Sequence, residues 1–214
     1  GKYYRICNIA YDLYVNEDFS ANALGCEPAN DEKLSQYWTL VPTGVQGRFL
    51  LRNLCTERFV TRQEGSLSSV YKTQASAPTA GFTLTRTDDV TDMKYFIIDN
   101  GSVGLHCDAG RNVVGWYSQG IPASTWGFEE VTLTDELIAD GRASPGHYST
   151  LKANITKYKA ALANLFEDAA CTRLKAAIQT LSDEQLAQDA DYQALNADMQ
   201  AMVLKVKNDS WQVY

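Results

Sequence analysis

Residues 4–8 of the chain read YRICN, and the same pattern returns as FLLRN at residues 49–53 and as FIIDN at residues 96–100. Each copy is a short apolar run of strand-favouring character that ends on asparagine, a residue that commonly begins a turn. The final asparagines of the three copies are 45 and 47 residues apart. A pattern that recurs at a nearly constant interval predicts a fold built from repeated units.

Further landmarks keep that interval. Leu13, Phe59 and Leu105 are each 46 residues apart, as are Leu24, Val70 and Trp116, and each unit closes on an aromatic residue, namely Trp38, Phe82 and Phe128. Each unit contains four short β-rich runs bounded by turn residues. Three repeats of about 46 residues with four strands each predict an all-β β-trefoil over residues 1–133, because three blades are too few to close a propeller.

The composition changes after residue 133, where glycine becomes rare and Ala, Leu, Lys, Asp and Gln dominate. Apolar residues there recur at steps of three and four, which is typical of amphipathic helices. Residues 134–214 are therefore predicted to form a small α-helical domain, with Ser144-Pro145-Gly146 as its start signal. The three predicted stripes begin at Leu151, Cys171 and Tyr192.

The repeat resembles the ricin-type (R-type lectin) β-trefoil unit, which ends in a Gln-x-Trp motif. Gln36-Tyr37-Trp38 is a full match in the first unit, whereas Ala80-Gly81-Phe82 and Trp126-Gly127-Phe128 keep only the final hydrophobic position. The resemblance covers roughly residues 3–133. It implies a carbohydrate-binding fold, although trefoils also serve as protease inhibitors and protein-interaction modules.

A second, fainter resemblance concerns residues 150–211. Residues 166–175 and 204–208 are similar to a helical segment that precedes the catalytic domain of large secreted bacterial enhancin-like metallopeptidases. This resemblance implies that the chain is a non-catalytic N-terminal part of a larger secreted or cell-surface protein that processes glycoproteins.

Composition argues against two classes of partner. The net charge is −7, and a chain without a basic cluster lacks the means to neutralise the phosphates of nucleic acids or anionic membranes. No apolar run is long enough to cross a bilayer, so membrane insertion is not expected. The five cysteines, at 7, 26, 55, 107 and 171, form no CxxC pair and are interpreted as mostly buried structural thiols.

The catalytic motifs sought in the sequence are absent, and neither a cofactor nor a metal is expected. The two histidines, His106 and His147, are 41 residues apart and form no HExxH motif. His106 lies in a strand run, where a packed strand histidine is the default interpretation. A dyad of His106 with Cys107 fails, because neighbours in a strand point to opposite faces.

Three functions remain open: a carbohydrate-binding module, a protein-interaction module and a Kunitz-type protease inhibitor. Kunitz-type inhibitors usually stand alone, so the helical tail counts against the third. Glycans or glycoproteins are the preferred partners, and a monomer is expected.

The ricin-type resemblance also implies where a sugar would bind. In that family the gripping acid follows the second strand in a Leu-x-x-Asp pattern, which the third unit keeps at residues 105–108. The first unit has Asn16 and the second Arg62 at the acidic position. The predicted carbohydrate-binding residues are Asp108, Asn112, Trp116, Tyr117 and Gln119. The alternative is that residues 108–110 form a tight turn only and that Trp116 belongs to the core.

Overall fold

The computed structural model describes residues 2–61, 67–87, 94–118 and 120–162. The chain divides into two compact units, residues 1–143 and 144–214. Strands, two 3-10 turns and one α-helix make up the regular structure of the described residues. The strands are β1 (Tyr3–Asn8), β2 (Leu13–Asp18), β3 (Ala23–Glu27), β4 (Trp38–Pro42), β5 (Arg48–Asn53), β6 (Phe59–Val60), β7 (Thr73–Gln74), β8 (Phe82–Arg86), β9 (Lys94–Asn100), β10 (Val103–Cys107), β11 (Val113–Tyr117) and β12 (Trp126–Val131), and the helix is α1 (Asp135–Leu162).

Six of the strands form a closed barrel. Antiparallel pairing runs from β1 to β4, β5, β8, β9 and β12, and β12 pairs again with β1. Three hairpins, β2–β3, β6–β7 and β10–β11, lie outside this ring. A six-stranded barrel with three hairpins is the β-trefoil arrangement that the repeats predict, and closure leaves the barrel without exposed edges.

The three hairpins meet through their second strands. The Leu24 N–H donates to the Tyr71 carbonyl at 2.9 Å, and the Tyr71 N–H donates to the Val113 carbonyl at 2.8 Å. All three side chains are buried in the core. The equivalents of Leu24 are therefore Tyr71 in the second unit and Val113 in the third, and the expected landmarks Val70 and Trp116 are both wrong. The reason is hairpin length: Leu13 and Leu24 are 11 residues apart, whereas Phe59 and Tyr71 are 12 apart and Leu105 and Val113 are 8 apart.

The repeated asparagines hold successive units together. The Asn53 amide donates to the Ser35 carbonyl at 2.9 Å, and the Asn8 amide donates to the Ala123 carbonyl at 2.8 Å. Both asparagines are buried, and both carbonyls belong to the turn just before a barrel strand of another unit. Because a turn carbonyl away from solvent needs a donor, this contact explains why the strand run ends on asparagine in the first and second copies.

The closing aromatic of the third unit is Trp126. Its indole is fully buried and donates to the Leu105 carbonyl at 2.8 Å, as Trp38 donates to the Val15 carbonyl at 3.0 Å. Phe128, the residue expected there, is only partly buried at the margin of the core. The motif position equivalent to residues 36–38 is therefore occupied by residues 124–126.

Helix α1 starts earlier than the sequence suggests. The Thr134 hydroxyl accepts a hydrogen bond from the Leu137 N–H at 3.2 Å, and Asp135 and Glu136 lie in the first turn, where acidic side chains favour a helix start. Ile138 packs against a buried cluster that comprises Leu34 and Tyr37 of the first repeat and Leu54 and Cys55 of the second. The expected start at residues 144–146 is wrong, because capping and packing begin the helix at Asp135 and Pro145 lies inside it.

Much of the predicted helical domain lies outside the described residues. Helix α1 includes the first predicted stripe as far as Leu162, whereas the stripes from Cys171 and Tyr192 and most of the enhancin-like segment fall in residues 163–214. The predicted boundary between residues 133 and 134 stays a prediction. No helix in the described part of the chain has the length and apolar character needed to cross a membrane.

Candidate functional site

The β10–β11 hairpin carries the described members of the predicted sugar site. Cys107 pairs with Val113, and Gly104 pairs with Trp116 at the far end of the hairpin. Since side chains alternate between the two faces of a strand, the buried residues Leu105, Cys107 and Val113 share the core face. His106 and Trp116 lie on the opposite, outward face.

The hairpin tip is a tight turn built by Asp108 and Asn112. Asp108 Oδ1 accepts the Asn112 backbone N–H at 2.8 Å, and the Asn112 amide contacts both carboxylate oxygens at 3.4 and 3.3 Å. Arg111 adopts the left-handed region, with φ of 65°, and its N–H donates to the Asp108 carbonyl. Asp108 is half-buried and Asn112 exposed, so the tip presents a carboxylate and an amide to solvent.

The other end of the hairpin carries an aromatic pair. The rings of Trp116 and Tyr117 meet edge to face, with centroids 5.9 Å apart, and the Trp116 ring lies 6.2 Å from the His106 ring. Trp116 is half-buried and Tyr117 is exposed. Neither residue belongs to the buried core, so the interpretation of Trp116 as a core residue does not describe this structure.

The structure therefore brings the predicted residues together in two pairs. Asp108 and Asn112 form the tip pair, while Trp116 and Tyr117 form the aromatic pair. Asn112 and Trp116 are four positions apart in the sequence, which corresponds to roughly 13 Å along β11. The fifth predicted residue, Gln119, lies outside the described residues.

His106 lies between the two pairs, and sequence reasoning missed it as a site residue. Its Nδ1 is 2.8 Å from the Ser124 hydroxyl, which in turn donates to the Tyr117 carbonyl at 2.9 Å. Burial lowers the pKa of His106, and the negative charge of Asp108 opposes that shift. The signal for His106 was available in the strand alternation, which places residues 106 and 108 on one face.

The first repeat does not offer an equivalent site. Asn16 is buried, its amide donates to Glu27 at 3.2 Å, and its oxygen accepts the Ser35 hydroxyl at 2.5 Å. Both the nitrogen and the oxygen of the Asn16 amide therefore have hydrogen-bond partners within the protein. Arg62, at the equivalent place in the second repeat, lies outside the described residues.

Glu17 is a buried carboxylate whose contacts are structural. The Thr56 and Thr73 hydroxyls donate to its oxygens at 2.6 and 2.5 Å, and the Arg58 guanidinium lies 4.0 Å away. Burial raises the pKa of Glu17, although the two threonine hydroxyls oppose that shift. These contacts join the first and second repeats and leave the carboxylate enclosed. Among the described residues, no group of three or more His, Cys, Asp or Glu side chains is placed to share a metal ion.

An open groove of about 970 Å³ lies beside the third repeat. Its apolar part is formed by partly exposed side chains of β9 and the neighbouring loops, namely Ile9, Phe96, Ile98 and Ile121. Ser118, which follows the aromatic pair, also lines it. The groove therefore lies beside the end of β11.

Comparison with known proteins identifies the fold. No family model and no curated protein matches the sequence. Among solved structures, the chain is similar to ThreeFoil, a designed three-fold symmetric protein, with 13% identity and a TM-score of 0.53, covering 61% of this chain and 99% of that one. It is also similar to the ricin B-like lectin of Macrolepiota procera in complex with lactose, with 14% identity and a TM-score of 0.53, covering 60% and 95%.

A third similar structure is the Rhizoctonia solani agglutinin, with 15% identity and a TM-score of 0.51, covering 60% of this chain and 94% of that one. The 60–61% of this chain that these structures match is close to the fraction of its 214 residues that residues 1–133 represent. At such low identities the similarity concerns the fold and carries no residue-level correspondence. The chain thus contains a β-trefoil domain of the kind found in ricin B-like lectins.

Proposed function

We propose that this chain is a non-catalytic carbohydrate-binding module whose ligand is a glycan or a glycoprotein, held at the β10–β11 hairpin by Trp116 of the outward face and by Tyr117 at the end of β11. The observation that carries the proposal is the edge-to-face pair of half-buried Trp116 and exposed Tyr117, outside the core. Sugars present apolar ring faces that stack on aromatic side chains, and hydroxyls that bind polar groups.

The spacing of the two pairs favours an oligosaccharide. A sugar ring stacked on Trp116 would not reach Asp108, because roughly 13 Å of strand separates the aromatic pair from the tip pair. A chain of several sugars laid along β11 would contact both. The lactose complex of the Macrolepiota procera lectin supports glycan binding by this fold. The proposal includes a secreted or cell-surface location and a place in a larger glycoprotein-processing protein.

Glycan-array screening followed by calorimetry tests the proposal. Tyr117 is 50% exposed and Tyr11, in the turn after β1, is 45% exposed, so the two tyrosines form a matched pair. We expect Tyr117→Ala to weaken binding of the selected glycan about tenfold, because a stacking surface is lost, while Tyr11→Ala leaves the affinity unchanged. The proposed surface would be contradicted if both variants weakened glycan binding equally, or if neither variant weakened it.

The second candidate function is a protein-interaction module, and the groove lined by Ile9, Phe96, Ile98 and Ile121 favours it. Partly exposed apolar side chains in a concave surface suit a protein partner. The two candidates differ in glycan dependence. Capture of a partner that persists after its glycans are removed enzymatically would favour this second function.

A further inference from the structure

We infer that His106 is a sugar-contacting residue, which accepts a hydrogen bond from a hydroxyl of the bound glycan at Nε2 and so helps to select the ligand. This inference rests on the proposed function, because it concerns the same surface. It adds a residue between the aromatic pair and the tip pair. It also gives the direction of the hydrogen bond, in which the sugar hydroxyl donates and His106 accepts.

The hydrogen bonds around Ser124 determine which ring nitrogen carries the proton. A hydroxyl has one hydrogen, and the Tyr117 carbonyl can only accept. Ser124 therefore donates to that carbonyl at 2.9 Å and must accept from His106 at Nδ1, 2.8 Å away. Ser124 is fully buried, so both contacts are needed to satisfy its hydroxyl. In the neutral ring Nδ1 then carries the hydrogen, and Nε2 keeps its lone pair.

The Nε2 atom is open to a ligand. It has no hydrogen-bond partner among the described residues and is not enclosed, although the ring is only partly exposed. The Trp116 indole N–H and the Tyr117 hydroxyl likewise have no partner within the described part of the chain. One acceptor beside two donors, around an aromatic surface, complements the alternating donors and acceptors of sugar hydroxyls.

The position of His106 argues against a purely structural role. A buried histidine needs partners for both ring nitrogens, whereas His106 has one partner, on its inner side. Its ring lies 6.2 Å from Trp116 on the outward face of the hairpin. A sugar stacked on Trp116 would therefore bring its hydroxyls toward Nε2.

The charge state of His106 should govern this contact. Protonation removes the Nε2 lone pair, so the glycan prefers the neutral ring and binding lowers the pKa of His106 further. Asp108 is the acidic group that acts on the ring, whereas β11 and the turn at Pro122–Ser124 carry no charged side chain. On β9, Asp99 is buried and accepts the Tyr71 hydroxyl, and Lys94 lies at the far end of the strand. Glycan affinity should be highest near pH 7 and should decrease as the pH falls below the usual pKa of histidine.

The experiment uses the full chain and the glycan selected by the array. Each hydroxyl of that glycan is replaced in turn by a methoxy group, which removes a donor. We expect one methoxy position to weaken binding to the unchanged protein about threefold to tenfold. His106→Ala should weaken binding of the parent glycan to the same extent and become insensitive to that methoxy position. His106→Gln, which keeps an acceptor, should recover part of the affinity.

Nitrogen NMR of the His106 ring provides a readout that needs no variant. The free protein at pH 7 should show the hydrogen on Nδ1, and saturation with the glycan should move the Nε2 signal and lower the ring pKa. An unmoved Nε2 signal, or wild-type affinity in His106→Ala while Tyr117→Ala binds weakly, would overturn the inference and leave the proposed function intact. Failure of the unchanged protein to bind any glycan would overturn both.

Discussion

Asp108 has a role in the turn and a proposed role in glycan binding, and replacing it with alanine would affect both. Its carboxylate faces solvent as a group able to bind sugar hydroxyls, and its Oδ1 atom also accepts the Asn112 N–H at 2.8 Å. The tight-turn interpretation and the binding interpretation of this residue are therefore compatible. A variant that separates them must keep an oxygen at Oδ1 and remove the negative charge.

Asp108→Asn meets that requirement. We expect it to keep the turn, and with it a nearly unchanged melting temperature, because asparagine side chains also accept backbone N–H groups in such turns. Glycan affinity should fall about tenfold if the carboxylate contacts a hydroxyl, since a charged acceptor forms the stronger hydrogen bond. Calorimetric titration and thermal denaturation of the same sample measure both quantities.

Asp108→Ala provides the comparison. It removes the acceptor as well, so it should also lose about 0.5–1.5 kcal/mol of unfolding free energy. Binding that is unchanged in Asp108→Asn would remove the carboxylate from the site. Weak binding that appears only in the alanine variant would assign Asp108 to the turn alone.

At the scale of the element, strand β10 depends on Gly104. A Cβ atom at this position would lie 2.2 Å from the Ile97 carbonyl oxygen and 2.8 Å from the Ser118 hydroxyl. The backbone of β9 therefore approaches β10 as closely as glycine allows. This approach places the hairpin, and Trp116 opposite Gly104, against the barrel.

We expect Gly104→Ala to lower the unfolding free energy by about 1–3 kcal/mol, because the obstructing atom is backbone and cannot rotate away. Gly127→Ala in β12 is the matched control, since its Cβ would meet only the Ile9 side chain at an ordinary 3.5 Å. Chemical denaturation of both variants tests the difference. Similar unfolding free energies for the two variants would show that β9 and β10 can move apart without loss of stability.

At the scale of the whole molecule, the first turns of α1 belong to the compact unit that contains the trefoil. Ile138 packs on the cluster of Leu34, Tyr37, Leu54 and Cys55, and Gly141 lies so close to Leu54 that a Cβ would be 2.2 Å from Cδ2. Arg142 also pairs with Glu57 at 3.2 Å, but both side chains are about half exposed, so that ion pair contributes little. Apolar packing is therefore the main contribution of this segment.

A chain ending at residue 143 should accordingly be more stable than one ending at residue 133. The longer chain partly buries Ile138 and covers Leu34 and Leu54, for which we expect about 1–2 kcal/mol of additional unfolding free energy and a melting temperature several degrees higher. Thermal denaturation of the two truncated chains measures this. Equal melting temperatures would show that the trefoil ends at residue 133, as the sequence predicts.

The sequence alone was sufficient for the repeat, the barrel fold and the hairpin that carries the candidate site. Such features follow from local patterns: short apolar runs, turn residues and an interval that recurs three times. The buried asparagines, which join one unit to another, are recognisable in the sequence as a repeated residue, because the same contact occurs more than once. A helix near the end of the trefoil was also predictable from apolar periodicity.

Tertiary structure decided the features that depend on register and on distant partners. The shorter third hairpin places Val113 rather than Trp116 at the meeting point of the three hairpins, which leaves Trp116 outside the core. Helix α1 starts at Asp135 because of a cap and a packed isoleucine, although the strongest local signal is Pro145. The hydrogen bond from His106 to Ser124 spans 18 residues, and spacing within a strand carries no information about a partner on another element.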